Sequence, residues 1–233
     1  MLGASLSVAC LMSLAALSSA FGQSRVASTE QGREPERLTF ERGDVYLDSS
    51  RVFIHVYKTG LGHEHGVVGT LKQGRILLDA QRGGGELVFD MQSFDADSDQ
   101  ARRYFGLTGS TDASTRQQVN ANMHSSSILD SPNHPTAVFR ISSISKLAQP
   151  SRRNLPQYRL DGEFTLRGTT NPIQVIADVD EKDHWVHLRG GFSILQTNYG
   201  ITPFTKAFGA VGVADRLEIW GDLWIANDRL VAR

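Results

Sequence analysis

Three consecutive residues carry the sharpest chemical potential in this chain. His63, Glu64 and His65 sit among glycines in the segment TGLGHEHG. On an extended segment, side chains two positions apart point the same way. The imidazoles of His63 and His65 could therefore share one divalent metal ion, given a third ligand from elsewhere. His55, His124 and His134 are the histidines expected to supply it. The structural alternative is that one ring packs and hydrogen-bonds to backbone while the other is solvated. Asp95, Asp97 and Asp99 alternate as in a calcium loop. However, Gln100 stands where such a loop needs glycine, and Gly106 where it needs its closing glutamate, so the stretch reads as a solvated loop. No Gly-x-Ser-x-Gly elbow, P-loop or dinucleotide fingerprint is present, and no acid–base pair is singled out.

The chain has 233 residues, a formal net charge of -1 and 40% hydrophobic residues. Those values suit one globular domain of roughly 170–200 residues plus ends. The basic pairs Arg102-Arg103 and Arg152-Arg153 do not form a stripe, so nucleic acid is not an expected partner. Met1–Ala20 is apolar and small, and Ser18-Ser19-Ala20 fits a small-x-small cleavage site. The run is short for a membrane span. Residues 1–20 are expected to be a secretory signal peptide, although no Lys or Arg precedes the apolar run. The alternative, a lipoprotein site at Cys10, fits less well because the apolar run continues past it. Cys10 is the only cysteine, so removal of this segment leaves no disulfide, thiolate–metal site or thiol nucleophile. Residues 21–43 are polar and without periodicity, expected as a flexible leader, with the domain at 44–233.

The elements that would position these residues are strands. In YRLDGEFTLRGTTNPIQVIADV, Tyr158, Leu160, Phe164 and Leu166 occupy one parity. After Gly168 and Pro172 the apolar parity switches to Ile173, Val175, Ala177 and Val179. This is a hairpin of two half-buried strands. Similar alternation runs through Gly85–Ser93, Val186–Ile194 and Leu217–Ile225, and strand composition through Val45–Lys58, Val67–Leu71, Arg75–Ala80 and Ala137–Leu147. Asp112 can cap one helix over Ala113–His124, whose thin stripe of Val119 and Met123 places it on a surface. Asp95–Thr111 reads as a long polar loop and Gln196–Ala214 as a long ordered one. About eight half-buried strands joined by short turns predict an all-β fold, an antiparallel, roughly eight-stranded barrel with one surface helix. Such a barrel is filled by side chains or holds one small ligand. The inward candidates are Phe89, Met91, Phe164, Leu166, Val186, Leu188, Phe192, Ile194, Leu217 and Ile219, either tunnel lining or packed core. Gly162, Gly190 and Gly221 share their parity and would leave room for a ligand chain or mark bends in the sheet.

These pieces resemble the YceI-like family in order and in motif. They are YLDSSRVFIHVYKTG, then ILDSPNHPTAVF, YRLDGEFTLRGTTNPI, NYGI and ADRLEIWGDLWIA, spanning roughly Val45–Ala226. Gln196 and Asn198 stand where the family often carries Arg and Asp, and the loop from Thr202 to Val213 is longer and richer in glycine. The resemblance implies a periplasmic or secreted lipocalin-like barrel that encloses a polyisoprenoid chain without catalysis. An apolar lipid is then the expected partner, with no membrane span left after signal removal. The rival readings are a metal- or cofactor-binding barrel using His63 and His65, and a filled barrel that serves as a protein-interaction module.

Overall fold

The structure is a computed structural model that describes residues 38–228 and 230–232. The segment expected as a signal peptide, and most of the expected leader, lie outside the described residues.

The hairpin that organises the sequence is formed by β8 (Gln157–Leu166) and β9 (Thr169–Lys182). Leu166 pairs with Thr169, leaving a two-residue turn of Arg167 and Gly168. Both have positive φ, 50° and 76°, as a hairpin turn twisted to match its strands requires. Pro172 lies inside β9, but outside the stretch of β9 covered by its other neighbour, β10 (Trp185–Leu195). A residue without an N–H therefore loses no ladder bond on that side.

The remaining strands are β1 (Leu38–Phe40), β2 (Arg51–Gly60), β3 (His65–Gly69), β4 (Leu71–Ile76), β5 (Gly85–Asp90), β6 (Asp95–Ala96), β7 (Thr136–Lys146), β11 (Thr205–Lys206), β12 (Val211–Ala226) and β13 (Leu230–Ala232). The main path runs β4-β5-β7-β8-β9-β10-β12-β2-β3-β6, antiparallel throughout. It curls on itself. β3 and β4 are one ribbon bent at Thr70; β3 pairs with β2 and β4 with β5. The segment 43–46 then ties β4 to β12: Val45 N donates to Gly74 O at 3.0 Å and Tyr46 N to Trp224 O at 2.8 Å. The result is the expected lipocalin-like curled barrel, with more strands than eight because short pieces such as β6 add to its edge.

Two further expectations change. The polar stretch from Asp95 contains β6 and a helix, α1 (Asp99–Tyr104), where an unstructured loop was expected. Ser98 caps α1 by accepting from Ala101 N, and Ala101 is wholly buried. Six residues show no helical period, which hid it. The helix α2 (Ala113–His124) has the expected span, with Asp112 Oδ1 accepting from Thr115 N at 3.0 Å. Within the stretch expected as a leader, residues 38–43 are built into the fold. β1 pairs with β13, and Gly43 N donates to Ala226 O at 2.8 Å. Among the described residues no helix is long and apolar enough to cross a membrane.

The interior has two parts. Around the 43–46 segment it is filled, by Ile76, Val179, Val186, Leu188, Leu223 and Ile225. Gly190 pairs here with Gly221 and Ala177. A Cβ at Gly190 would lie 2.6 Å from both Ala177 Cβ and Ile176 O, and one at Gly162 would overlap the Arg140 carbonyl oxygen. These two glycines therefore permit close strand approach, and neither makes room for a ligand. Gly221 is looser, with its nearest neighbour, Leu223 Cγ, at 3.6 Å.

Candidate functional site

The opposite part of the interior is hollow. Alternate residues of four strands face it: Val52, Ile54 and Val56 from β2, Phe164 and Leu166 from β8, Phe192 and Ile194 from β10, Leu217 and Ile219 from β12. Phe89, Met91 and Ala137 add to the wall. Phe164 sits edge-on to Phe89, Phe192 and Tyr199, with ring centroids 6.1, 5.6 and 5.8 Å away. The roof is α2 and the turn after it, through Val119, Met123, Ile128 and Leu129; the thin apolar stripe of α2 is its cavity face. The segment leading into β12 contributes Ile201, Phe204 and Val213. The cavity measures about 170 Å³, and only His65, Asn122 and Gln196 among its lining residues are polar. Gln196 is buried and donates through Nε2 to Ala214 O at 2.8 Å.

Eight of the ten inward candidates meet at this cavity: Phe89, Met91, Phe164, Leu166, Phe192, Ile194, Leu217 and Ile219. Val186 and Leu188 do not. They lie farther along β10, paired with Ile225 and Leu223 in the filled part. Strand parity alone cannot separate the two groups, because both point inward.

The roof is fastened by polar contacts. His124 bonds Ser131 Oγ through Nδ1 at 2.9 Å and Phe94 O through Nε2 at 2.8 Å. Asn120 Oδ1 accepts from Ala96 N at 2.8 Å, and Arg116 holds Asp95 and the Ala96 carbonyl. His55 is engaged by Glu64 Oε2 at 2.8 Å, and His134 lies 3.9 Å from Asp130. None of the three expected histidines therefore joins His63 and His65.

Their partner is Asp97, just past β6. His65 Nδ1 is 2.7 Å and His63 Nε2 3.5 Å from Asp97 Oδ2. Asp97 is neither in a calcium loop nor solvated. Its side chain is fully buried, while Asp95 turns to α2 and Asp99 opens α1. Asp97 adopts the left-handed region, φ 57°, which short polar side chains tolerate. It accepts from Thr111 Oγ1 at 3.1 Å and from Arg102 Nη1 at 3.2 Å. Burial alone would push its carboxyl pKa up. The His65 hydrogen bond and charge, Thr111 and Arg102 outweigh that and bring it down to about 2. Local sequence could not reveal this residue, because it meets His65 across 32 positions.

Fold and cavity together define a curled, antiparallel lipocalin-like barrel with an apolar chamber at one end. The YceI-like domain matches residues 45–223, and the chain belongs to that family. Among solved structures, BcnA from Burkholderia cenocepacia aligns over 78% of this chain and 100% of its own, at 18% identity and a TM-score of 0.53. A polyisoprenoid binding domain from Saccharophagus degradans, implicated in plant cell wall breakdown, aligns over 80% of this chain and 99% of its own, at 12% identity and a TM-score of 0.53. These likenesses concern the fold. No curated protein matches the sequence.

Proposed function

We propose that this protein is a non-enzymatic binder or carrier of an apolar lipid with a polyisoprenoid chain, working in the periplasm or outside the cell. The observation that carries the reading is the cavity. Its wall is almost wholly aliphatic and aromatic, with three polar groups, a composition suited to a hydrocarbon chain. Burying a chain is favourable by about 0.8 kcal/mol per CH₂, so a lipid would be retained through purification. Family membership and the printed description of the Saccharophagus degradans domain support the isoprenoid class. The apolar Met1–Ala20 segment supports export.

The test is organic extraction of the purified, exported protein followed by mass spectrometry. One isoprenoid lipid per chain is expected from the wild type. Ala137→Phe places a ring into the cavity wall and should lower retention at least tenfold, with the circular dichroism spectrum unchanged. Wild type that yields no lipid, or a variant that retains it fully, would overturn the reading.

A further inference from the structure

We propose that His63, His65 and Asp97 form a binding site for a divalent transition-metal ion of the zinc type, beside the cavity that His65 lines. These three are the one group among the described residues in which at least three such side chains bring a ligand atom each within 4.8 Å of one another. The other histidines point elsewhere: His55 to Glu64, His124 to Ser131 and Phe94, His134 towards Asp130, His184 to Asp228, His187 to Asp222. The local fold explains the gathering. His63 and His65 are two apart on the segment entering β3, and β6 pairs beside β3, so the residue after it arrives at the same point. The imidazole centroids lie 4.5 Å apart and tilted by 58°, converging on one carboxylate oxygen.

Distances and donors both fit a tetrahedral ion. With metal–ligand bonds of about 2.0–2.1 Å, neighbouring ligand atoms sit about 3.3 Å apart. His63 Nε2 and Asp97 Oδ2 already lie 3.5 Å apart. The 2.7 Å pair, His65 Nδ1 and Asp97 Oδ2, must exchange its shared hydrogen for the ion and open slightly. Two imidazoles and one carboxylate suit zinc and its neighbours better than magnesium or calcium, which favour all-oxygen sets.

The carboxylate is oriented from behind. Oδ1 takes Arg102 Nη1 at 3.2 Å and the Gly66 N–H at 3.4 Å. That leaves Oδ2 towards the histidines, with the Thr111 hydroxyl beside it. The Arg102 guanidinium opposes a cation, but it also donates to the Thr108 and Gly109 carbonyls, so its charge is shared. Such outer partners tune affinity by about 10–100-fold. Access is from solvent, because the His63 side chain is 48% exposed while Asp97 is fully buried. Three protein ligands leave a fourth position for water or for an oxygen-bearing group of a ligand. His65 itself lines the cavity.

The site stands independently of the lipid reading, and its test uses zinc alone. Full-length exported protein is stripped with chelator and titrated with Zn²⁺ by calorimetry, with the melting temperature followed in parallel. One equivalent should bind, and the melting temperature should rise on saturation. His63→Ala should weaken binding at least tenfold. It is the informative variant because this exposed ring has few partners to lose. Asp97→Asn should abolish binding, but it also disturbs Arg102 and is secondary. His184→Ala, an exposed histidine elsewhere, should bind like the wild type. Absence of a one-equivalent site, wild-type affinity in His63→Ala, or an equal loss in His184→Ala would each overturn the proposal.

Discussion

The two ends of this barrel are built from the same strands and the same alternation, yet one is solid and the other hollow. β10 and β12 run through both. Leu188 opposite Leu223 lies in the solid end, Phe192 opposite Ile219 in the hollow one. The extent of strand pairing differs between them. At the solid end β9 and β10 stay paired, and Gly190 lets Ala177 come close. Beyond Ile176 and Gly191 that pairing stops, the turn Gln196–Tyr199 comes beside β9, where Asn171 Nδ2 donates to Asn198 O, and α2 roofs the cavity. An inward apolar residue is therefore a cement in one place and a lining in the other.

Paired truncations on one strand should break the comparison most strongly. Leu223→Ala in the solid end is expected to lower stability by about 2–5 kcal/mol. Leu217→Ala at the cavity should cost under about half of that, because its side chain already lacks neighbours on one face. Urea unfolding of both variants measures the contrast, and equal losses would mean that the chamber collapses in solution.

The glycines sharpen it next. Gly190→Ala should cost about 1–3 kcal/mol through overpacking against Ala177, with lipid retention unchanged. Gly221→Ala, with its nearest contact at an ordinary 3.6 Å, should cost less than Gly190→Ala. Thermal melts rank the two, and the opposite order would contradict the close approach at Gly190.

The smallest effect belongs to the hollow end. The folded pKa of Asp97, about 2, lies below the ordinary 3.8, so the native state binds this proton less readily than the unfolded chain. Its contribution is complete above the ordinary value and disappears as pH falls towards the folded one, amounting to about 2 kcal/mol at most. Metal-free wild type should lose that increment on acidification, and Asp97→Asn should not. Parallel pH-stability curves would refute it.

Much of this fold is legible in the chain. The parity of Leu160, Phe164 and Leu166, and its switch at Ile173, mark the β8–β9 hairpin, and Asp112 marks the start of α2. Both signals are local and periodic. α1 is too short to show a period, and β6 is two residues whose pairing with β3 is decided by tertiary contact. The cavity is legible only by half. Alternation identifies Phe192 and Ile194 as inward, but nothing along β10 shows where the neighbouring strand departs. Asp97 stays hidden for the same reason: its partners are distant in sequence, and the acidic string around it suggests solvent.

The tie at 43–46 has a consequence for how the chain reaches this state. Val45 bridges Ile225, so the seam joins the first part of the domain to nearly the last. The β8–β9 hairpin can form as soon as its own residues are free, whereas the seam must wait for β12. Until then the segment 43–46 can pair with β4 but has no partner on its other side, and it presents a bare edge there. Closing so long a loop is entropically the most demanding step, and contacts of this range slow folding. Refolding should therefore end in a slow phase reported by Tyr46 and Trp224, whose backbones meet across the seam.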